Sequence, residues 1–138
     1  MSIVLDANVV VAVMTVTRVR AVARERLDRW QADAEDLHVP HLFTYELASA
    51  LSGLEADGKL SVPASDDVWA LVDALDLTFH PPSGGANLVE ITRRLQRRSA
   101  YDAAYIDLAL RLKAELWTLD GKLARNAESA GFPVRLVS

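Results

Sequence analysis

The chain has 138 residues, of which 51% are hydrophobic, and a formal net charge of −4 at pH 7. The absence of cysteine excludes disulfides, thiolate metal sites and cysteine nucleophiles, and is typical of a reducing cytoplasm. No apolar run approaches the roughly 20 residues of a membrane span, and the first residues lack the features of a secretory signal, so we expect a cytoplasmic protein without a membrane partner.

Short apolar runs alternate with helical patterns along the chain. The predicted strands are residues 3–5, 37–39, 77–79, 116–119 and 134–137. Apolar stripes at helical spacing cover residues 19–30 and 43–54, and helix starts are predicted at Ser65, Asn87 and Ser99. Such alternation favours parallel strands with helices on both faces. We therefore predict a single α/β domain over residues 1–138, a three-layer sandwich with a central, mainly parallel five-stranded sheet.

Two acidic residues follow predicted strands directly. Asp6 comes after residues 3–5, and Asp120 comes after residues 116–119. In open parallel sheets, ligands bind beyond the carboxyl ends of the strands, so both acids are well placed for chemistry if their strands are neighbours. Aspartate in this position also commonly caps the helix that follows. The residues alone leave both interpretations open.

Glu46 shares one side of its predicted helix with apolar residues, since Phe43 lies three positions before it and Ala50 four after. A carboxylate at the edge of a buried stripe is costly unless it is paired or binds a metal. It could equally lie at the rim of the core beside an arginine. The position of Glu46 therefore fits two interpretations, a residue of a metal site or a residue paired with an arginine.

Asp102 heads an apolar stripe and is expected to point towards the core, although Ser99 and Asp102 also match a capping box. Asp107 lies five residues later, roughly 140° around the helix. Its expected partner is Arg111, one turn away. We interpret Asp107 as a surface residue outside the site.

Taken together, the four acids indicate a cation-binding site, although none of them does so alone. Like charges gathered at one edge of a sheet would repel one another unless a cation compensated them. Oxygen donors without cysteine or histidine favour a hard ion, Mg²⁺ or Mn²⁺, over Zn²⁺. His38, His41 and His80 are scattered and are interpreted as structural, and no glycine-rich phosphate loop follows the first strand.

Positive charges are clustered despite the acidic composition. One group lies at residues 18–29, and the other consists of Arg93, Arg94, Arg97 and Arg98. Either group could be a solvated helix face. The second group is a candidate contact for a nucleic-acid backbone.

The chain resembles the PIN-domain nucleases, and specifically the VapC-like toxins of bacterial toxin–antitoxin pairs. The resemblance rests on Val4-Leu5-Asp6-Ala7-Asn8, Val39-Pro40, Thr44-Tyr45-Glu46-Leu47, Ser99-Ala100-Tyr101-Asp102-Ala103-Ala104-Tyr105, and Leu116-Trp117-Thr118-Leu119-Asp120 with Leu123. Each fragment is short, but their order and spacing cover essentially the whole chain.

The resemblance implies a PIN fold and a function. The positions matching Asp6, Glu46, Asp102 and Asp120 would surround Mg²⁺ or Mn²⁺ and support hydrolysis of RNA phosphodiester bonds. Those matching Asn8 and Thr118 would support the site through hydrogen bonds. It also implies a homodimer and inhibition by a cognate VapB-like antitoxin protein.

Two other functions remain as alternatives. A non-catalytic PIN-like module would hold RNA or protein without cutting it, although all four acids are present here. A phosphatase of the haloacid dehalogenase type also uses an aspartate after its first strand. That class needs a second aspartate two residues later, where this chain has Asn8.

Overall fold

The computed structural model describes residues 1–15 and 18–138. The strands are β1 (Ser2–Leu5), β2 (Asp36–Pro40), β3 (Thr78–His80), β4 (Glu115–Thr118) and β5 (Val134–Leu136). The helices are α1 (Ala7–Met14), α2 (Val19–Ala32), α3 (Leu42–Ala56), α4 (Val62–Ala74), α5 (Gly85–Leu95), α6 (Tyr101–Leu112) and α7 (Gly121–Ser129).

The five strands form one parallel sheet in the order β3-β2-β1-β4-β5. β1 is central, with Ser2 opposite Asp36 on β2 and Val4 opposite Leu116 on β4. The chain therefore starts in the middle of the sheet and reaches each edge through helical crossovers, which is how parallel strands are joined. The predicted α/β fold is confirmed, and β3 starts one residue later than predicted.

The apolar core lies in two layers, one on each face of the sheet. Ile3 and Leu5 point into the layer that also holds Phe43 and Leu47 of α3. Val4 points the other way, into the layer that holds Ile106 of α6. Successive side chains of a strand alternate between faces, so β1 packs against helices on both sides. This sandwich brings α3 and α6 to opposite sides of the end of β1.

The three predicted helix starts differ from the structure, including Ser99, since α6 begins at Tyr101. α4 begins at Val62, because the Ser61 hydroxyl accepts a hydrogen bond from the Ala64 N–H at 3.2 Å and caps the helix. The predicted cap, Ser65, is instead buried within α4. α5 begins at Gly85, two residues before the predicted start at Asn87.

No helix in the described part of the chain is both long and apolar enough to cross a membrane.

Candidate active site

The four predicted acids lie around one cleft at the carboxyl ends of β1 and β4. Asp6 directly follows β1, and Asp120 lies two residues beyond β4, its parallel neighbour. α3 contributes Glu46 and α6 contributes Asp102. The cleft has a volume of about 310 Å³ and is lined by Asp6, Ala7, Asn8, Val11, Glu46, Ala50, Asp102 and Asp120. The topology thus brings together residues that are 114 positions apart in the sequence.

Asp6 is both a helix cap and a cleft residue. Its Oδ1 accepts a hydrogen bond from the Asn8 N–H at 3.2 Å, and its Oδ2 accepts one from the Thr118 hydroxyl at 2.8 Å. The pKa of Asp6 is raised to about 7, mainly by burial and also by the nearby carboxylates of Glu46 and Asp102, against the lowering effect of its hydrogen bonds to Thr118 and Asn8. The charge of this carboxylate is therefore poorly compensated.

Thr118 and Asn8 connect the ends of β1 and β4. The buried Thr118 hydroxyl donates to Asp6 and accepts hydrogen bonds from Asn8 Nδ2 at 3.1 Å and the Asp120 N–H at 3.0 Å. Asn8 Oδ1 accepts a hydrogen bond from the Leu119 N–H at 3.1 Å. These bonds use the full donor and acceptor capacity of the hydroxyl. They orient Asp6 and hold the segment that carries Asp120.

Glu46 is held by Tyr105. The Tyr105 hydroxyl donates to Glu46 Oε1 at 2.6 Å, across 59 residues of sequence. Burial raises the pKa of Glu46, as does the charge of Asp102, while the Tyr105 hydrogen bond lowers it. Burial is also the main cause of the raised pKa of Tyr105, followed by the charge of Asp6 and the hydrogen bond to Glu46. Tyr105 therefore stays protonated and donates.

The sequence analysis did not identify Tyr105 as a site residue, since it lies in the apolar stripe of α6. It is 2% exposed. The signal available in the sequence was a tyrosine, rather than phenylalanine, three positions after an inward acid. A buried phenol generally needs a hydrogen-bond partner.

Asp102 does not form the predicted capping box. α6 is capped by the backbone of Ala100 without a side-chain hydrogen bond, whereas the Ser99 hydroxyl accepts one from the Tyr101 N–H at 3.4 Å. The Asp102 carboxylate lies near Arg97 instead, with 3.7 Å between Oδ2 and Nε. Burial raises the pKa of Asp102, Arg97 lowers it, and Asp120 raises it.

Asp120, like Asp6, combines the two roles that the sequence left open. Its Oδ1 accepts a hydrogen bond from the Leu123 N–H at 3.0 Å and caps α7. Its Oδ2 lies 3.8 Å from Arg97 Nη2. Oδ1 thus caps α7, and Oδ2 faces the guanidinium group of Arg97.

The four candidate arginines lie in different surroundings. Arg97 is next to the acids, whereas Arg93 pairs with Glu90 at 3.0 Å. Arg94 donates to the Ala130 carbonyl at 2.7 Å and stacks on the ring of Phe132. Arg98 is exposed on the connection before α6.

The interpretation of Asp107 as a surface residue was wrong. Asp107 is 4% exposed, because the loop before α5 folds over it: the Ser83 hydroxyl donates to its Oδ1 at 2.7 Å. The predicted pair with Arg111 is present, at 3.2 Å. Asp107 fastens this loop to α6 and does not line the acidic cleft.

Two of the histidines that seemed scattered in the sequence form a pair. His38 Nδ1 and His80 Nε2 are 2.9 Å apart, on the neighbouring strands β2 and β3. Burial and the neighbouring His38 lower the pKa of His80. The pair joins two strands and does not line the acidic cleft.

The donor set at the cleft is chemically suited to a hard divalent cation. Its four acidic residues offer carboxylate oxygens, and the pKa values of Asp6, Glu46 and Asp102 are all raised. As the side chains stand, no three acidic or histidine residues among residues 1–15 and 18–138 are arranged to hold a metal ion. In this arrangement the Tyr105 hydroxyl holds Oε1 of Glu46, and Arg97 lies beside Asp102 and Asp120.

Comparison with known proteins gives consistent matches. The family model described as PIN domain matches residues 3–129. The chain is 35% identical over 105 residues to VapC ribonuclease Mb0985 of Mycobacterium bovis and, equally, to ribonuclease VapC9 of Mycobacterium tuberculosis. In each case the match covers 75% of this chain and 80% of the relative.

A solved structure has the same fold. PAE2754 from Pyrobaculum aerophilum superposes with a TM-score of 0.70 at 20% sequence identity, covering 91% of this chain and 79% of that one. At this level of identity the match concerns the fold alone.

Proposed function

Because the chain belongs to the PIN-domain family, and within it to the VapC-like group, we propose that it is a Mg²⁺- or Mn²⁺-dependent endoribonuclease. It hydrolyses RNA phosphodiester bonds as the toxin of a VapBC-type toxin–antitoxin pair. The observation that carries the proposal is the single cleft lined by four acids from four different elements. Residues 1–138 act as one nuclease domain.

Asp6 and Asp102 would be the principal ligands of the metal ion, and Glu46 and Asp120 would contact it directly or through water. Once bound, the ion would supply Lewis-acid chemistry, lowering the pKa of a water molecule and stabilising negative charge on the phosphate. Thr118 and Asn8 support Asp6 by keeping its carboxylate in one orientation. The role of these residues is thus to bind and to position.

Glu46 is the best-placed proton acceptor. Tyr105 holds Oε1, while Oε2 accepts no hydrogen bond within residues 1–15 and 18–138. Its raised pKa brings the carboxylate closer to the operating pH, as general base catalysis requires. In the proposed step, Oε2 takes a proton from the attacking water, the new P–O bond forms, the bond to the leaving sugar oxygen breaks, and that oxygen takes a proton from solvent.

The substrate is single-stranded or looped RNA. Tyr45 and Tyr101 line a cavity that also includes Glu46, and their side chains are 75% and 64% exposed. Exposed aromatic rings stack on unpaired bases, which supports a strand without base pairs. Arg93 and Arg98, two of the four candidate arginines, are exposed, and contact with the RNA backbone is proposed for these two.

The cognate VapB-like antitoxin and the homodimer are proposed on family grounds. The names of the relatives describe them as VapC ribonucleases, which supports the toxin assignment. Co-expression and co-purification with a candidate VapB-like protein would test the first, and light scattering after gel filtration would test the second. The cytoplasmic location stays a prediction.

The experiment that tests the function is incubation of purified protein with a cellular RNA pool, with Mg²⁺, with Mn²⁺ and with EDTA. Cleavage that needs the metal and disappears in Asp6→Asn supports the proposal, provided the circular dichroism of the variant is unchanged. Cleavage retained in folded Asp6→Asn or Asp102→Asn would contradict the site. Absence of cleavage with RNA binding retained would favour the non-catalytic module, and turnover of a small phosphomonoester would favour the phosphatase.

A further inference from the structure

Arg97 places a guanidinium group directly beside two of the four acids. α5 ends at Leu95, Gln96 takes the left-handed conformation at φ 55°, and the Arg97 N–H donates to the Thr92 carbonyl at 3.2 Å. This turn directs the side chain to Asp102 and Asp120, and leaves it 23% exposed.

The contacts of this guanidinium are incomplete. Nε lies 3.7 Å from Asp102 and Nη2 lies 3.8 Å from Asp120, which is beyond ordinary hydrogen-bond length. Both nitrogens are buried and have no hydrogen-bond acceptor within the described residues. Buried donors without acceptors are costly, so the electrostatic attraction of the acids is what favours this position.

A second arginine, Arg111, forms an ion pair with shorter contacts than those of Arg97. Arg111 Nε lies 3.2 Å from Asp107, and the Arg111 side chain also donates to the Pro81 carbonyl at 2.9 Å. Asp107 receives further hydrogen bonds from Ser83. Arg97 has no comparable set of partners, so its pair with the acids is easier to separate.

We propose that Arg97 is the internal counter-ion of the acidic cleft and competes with the divalent cation for Asp102 and Asp120; this rests on the proposed metal-dependent function. Arg97 is not among the residues that line the cleft, so it draws the two Oδ2 atoms towards a group outside it. Without metal, its charge offsets the repulsion between the acids. When metal binds, the same oxygens turn into the cleft and the pair with Arg97 loosens.

The competition predicts opposite effects on stability and on metal affinity. In EDTA, Arg97→Gln should unfold at a lower temperature than the unaltered protein, because the acids lose their counter-ion. In the absence of RNA, the same variant should bind Mn²⁺ roughly tenfold more tightly, because one competing cation is gone. The rise in unfolding temperature on adding Mn²⁺ should also be larger for Arg97→Gln than for the unaltered protein.

The experiment is a Mn²⁺ titration followed by electron paramagnetic resonance and calorimetry, with no RNA present. Arg98→Gln is the matched control, since it removes the adjacent, exposed charge and should leave Mn²⁺ affinity within about twofold. Arg97→Met also removes the charge and should tighten Mn²⁺ binding in the same way, which covers the case in which the glutamine variant does not fold. Arg97→Lys keeps the charge and should stay close to the unaltered protein.

Tighter Mn²⁺ binding by Arg97→Gln and Arg97→Met, the two variants without the charge, is the expected result. Unchanged or weaker binding by both variants, with normal binding by the unaltered protein, would overturn the role of Arg97 and leave the proposed function standing. Failure of the unaltered protein to bind Mn²⁺ would overturn both.

Discussion

The Tyr105 hydroxyl donates a 2.6 Å hydrogen bond to Oε1 of Glu46 and so joins α6 to α3 across the end of β1. Each residue lies on an element that packs against a different face of the sheet. The bond satisfies a buried phenol and at the same time orients a carboxylate at the cleft. It is a structural contact with a direct consequence for the proposed chemistry.

Tyr105→Phe should keep the fold and impair the reaction. The ring still fills its place, so the free energy of unfolding should fall by only about 1 kcal/mol. Glu46 loses its fixed orientation and the bond that lowers its pKa, so kcat should drop about tenfold with little change in KM. The pH dependence of kcat should move to higher pH. Tyr101→Phe is the control, since its side chain is exposed, and equal kcat values in the two variants would contradict the role of Tyr105.

Mn²⁺ affinity should depend on pH through Asp6. The pKa of this residue in the metal-free protein is about 7, and a carboxylate must lose its proton to bind the ion. The association constant should therefore rise by up to about tenfold per pH unit below pH 7 and level off above it. Calorimetry at pH 5.5, 6.5 and 8 measures this, and an affinity independent of pH over that range would exclude Asp6 as a titrating ligand.

The stability of the metal-free protein should fall as pH rises towards 7. Asp6 has a folded-state pKa of about 7 against an ordinary value of 3.8, so the folded state binds its proton more tightly than the unfolded state does. The resulting stabilisation is complete below pH 3.8 and is lost as the pH rises through about 7. In EDTA, the unfolding temperature should drop by roughly 10 °C more between pH 5 and pH 8 in the unaltered protein than in Asp6→Asn, since about two pH units separate pH 5 from the folded-state pKa. Parallel curves for the two proteins would contradict the raised pKa.

Thr118→Val should weaken both the fold and the site. Valine has nearly the same shape, but it removes the donor to Asp6 and the acceptor for Asn8 and the Asp120 N–H. The free energy of unfolding in urea should fall by about 2 kcal/mol, and Mn²⁺ binding should weaken. Thr118→Ser restores the hydroxyl and should recover most of the metal affinity. No difference between valine and serine would show that packing alone matters here.

Asp107→Ala should affect stability without affecting the cleft. The change leaves Arg111 and Ser83 without their buried partner, so the free energy of unfolding should fall by about 3 kcal/mol. Mn²⁺ affinity should match the unaltered protein, because Asp107 does not line the acidic cleft. A large change in metal affinity in a folded Asp107→Ala protein would mean that the loop before α5 positions the site.

The sequence by itself determined the strands, the parallel sheet and the edge at which the acids gather. A residue directly after a buried strand must lie at the strand's carboxyl end, so Asp6 and Asp120 were placed by local patterns alone. Glu46 and Asp102 followed from apolar stripes, since helical spacing shows which side chains point inward. Whether Asp6 and Asp120 cap helices or line the cleft had no single answer, because both residues line the cleft while Oδ1 of each accepts a hydrogen bond from the first turn of the helix that follows.

Only the tertiary structure decided what each helical side chain meets. The Tyr105–Glu46 bond depends on two helices from opposite faces of the sheet meeting at the end of β1. The burial of Asp107 depends on how a loop folds back over α6, and the approach of Arg97 depends on one left-handed residue after α5. Such contacts join segments that are distant in the sequence. The periodicity of apolar residues predicts which face of a helix or strand a side chain lies on, but it does not predict which residue of another element that side chain will contact.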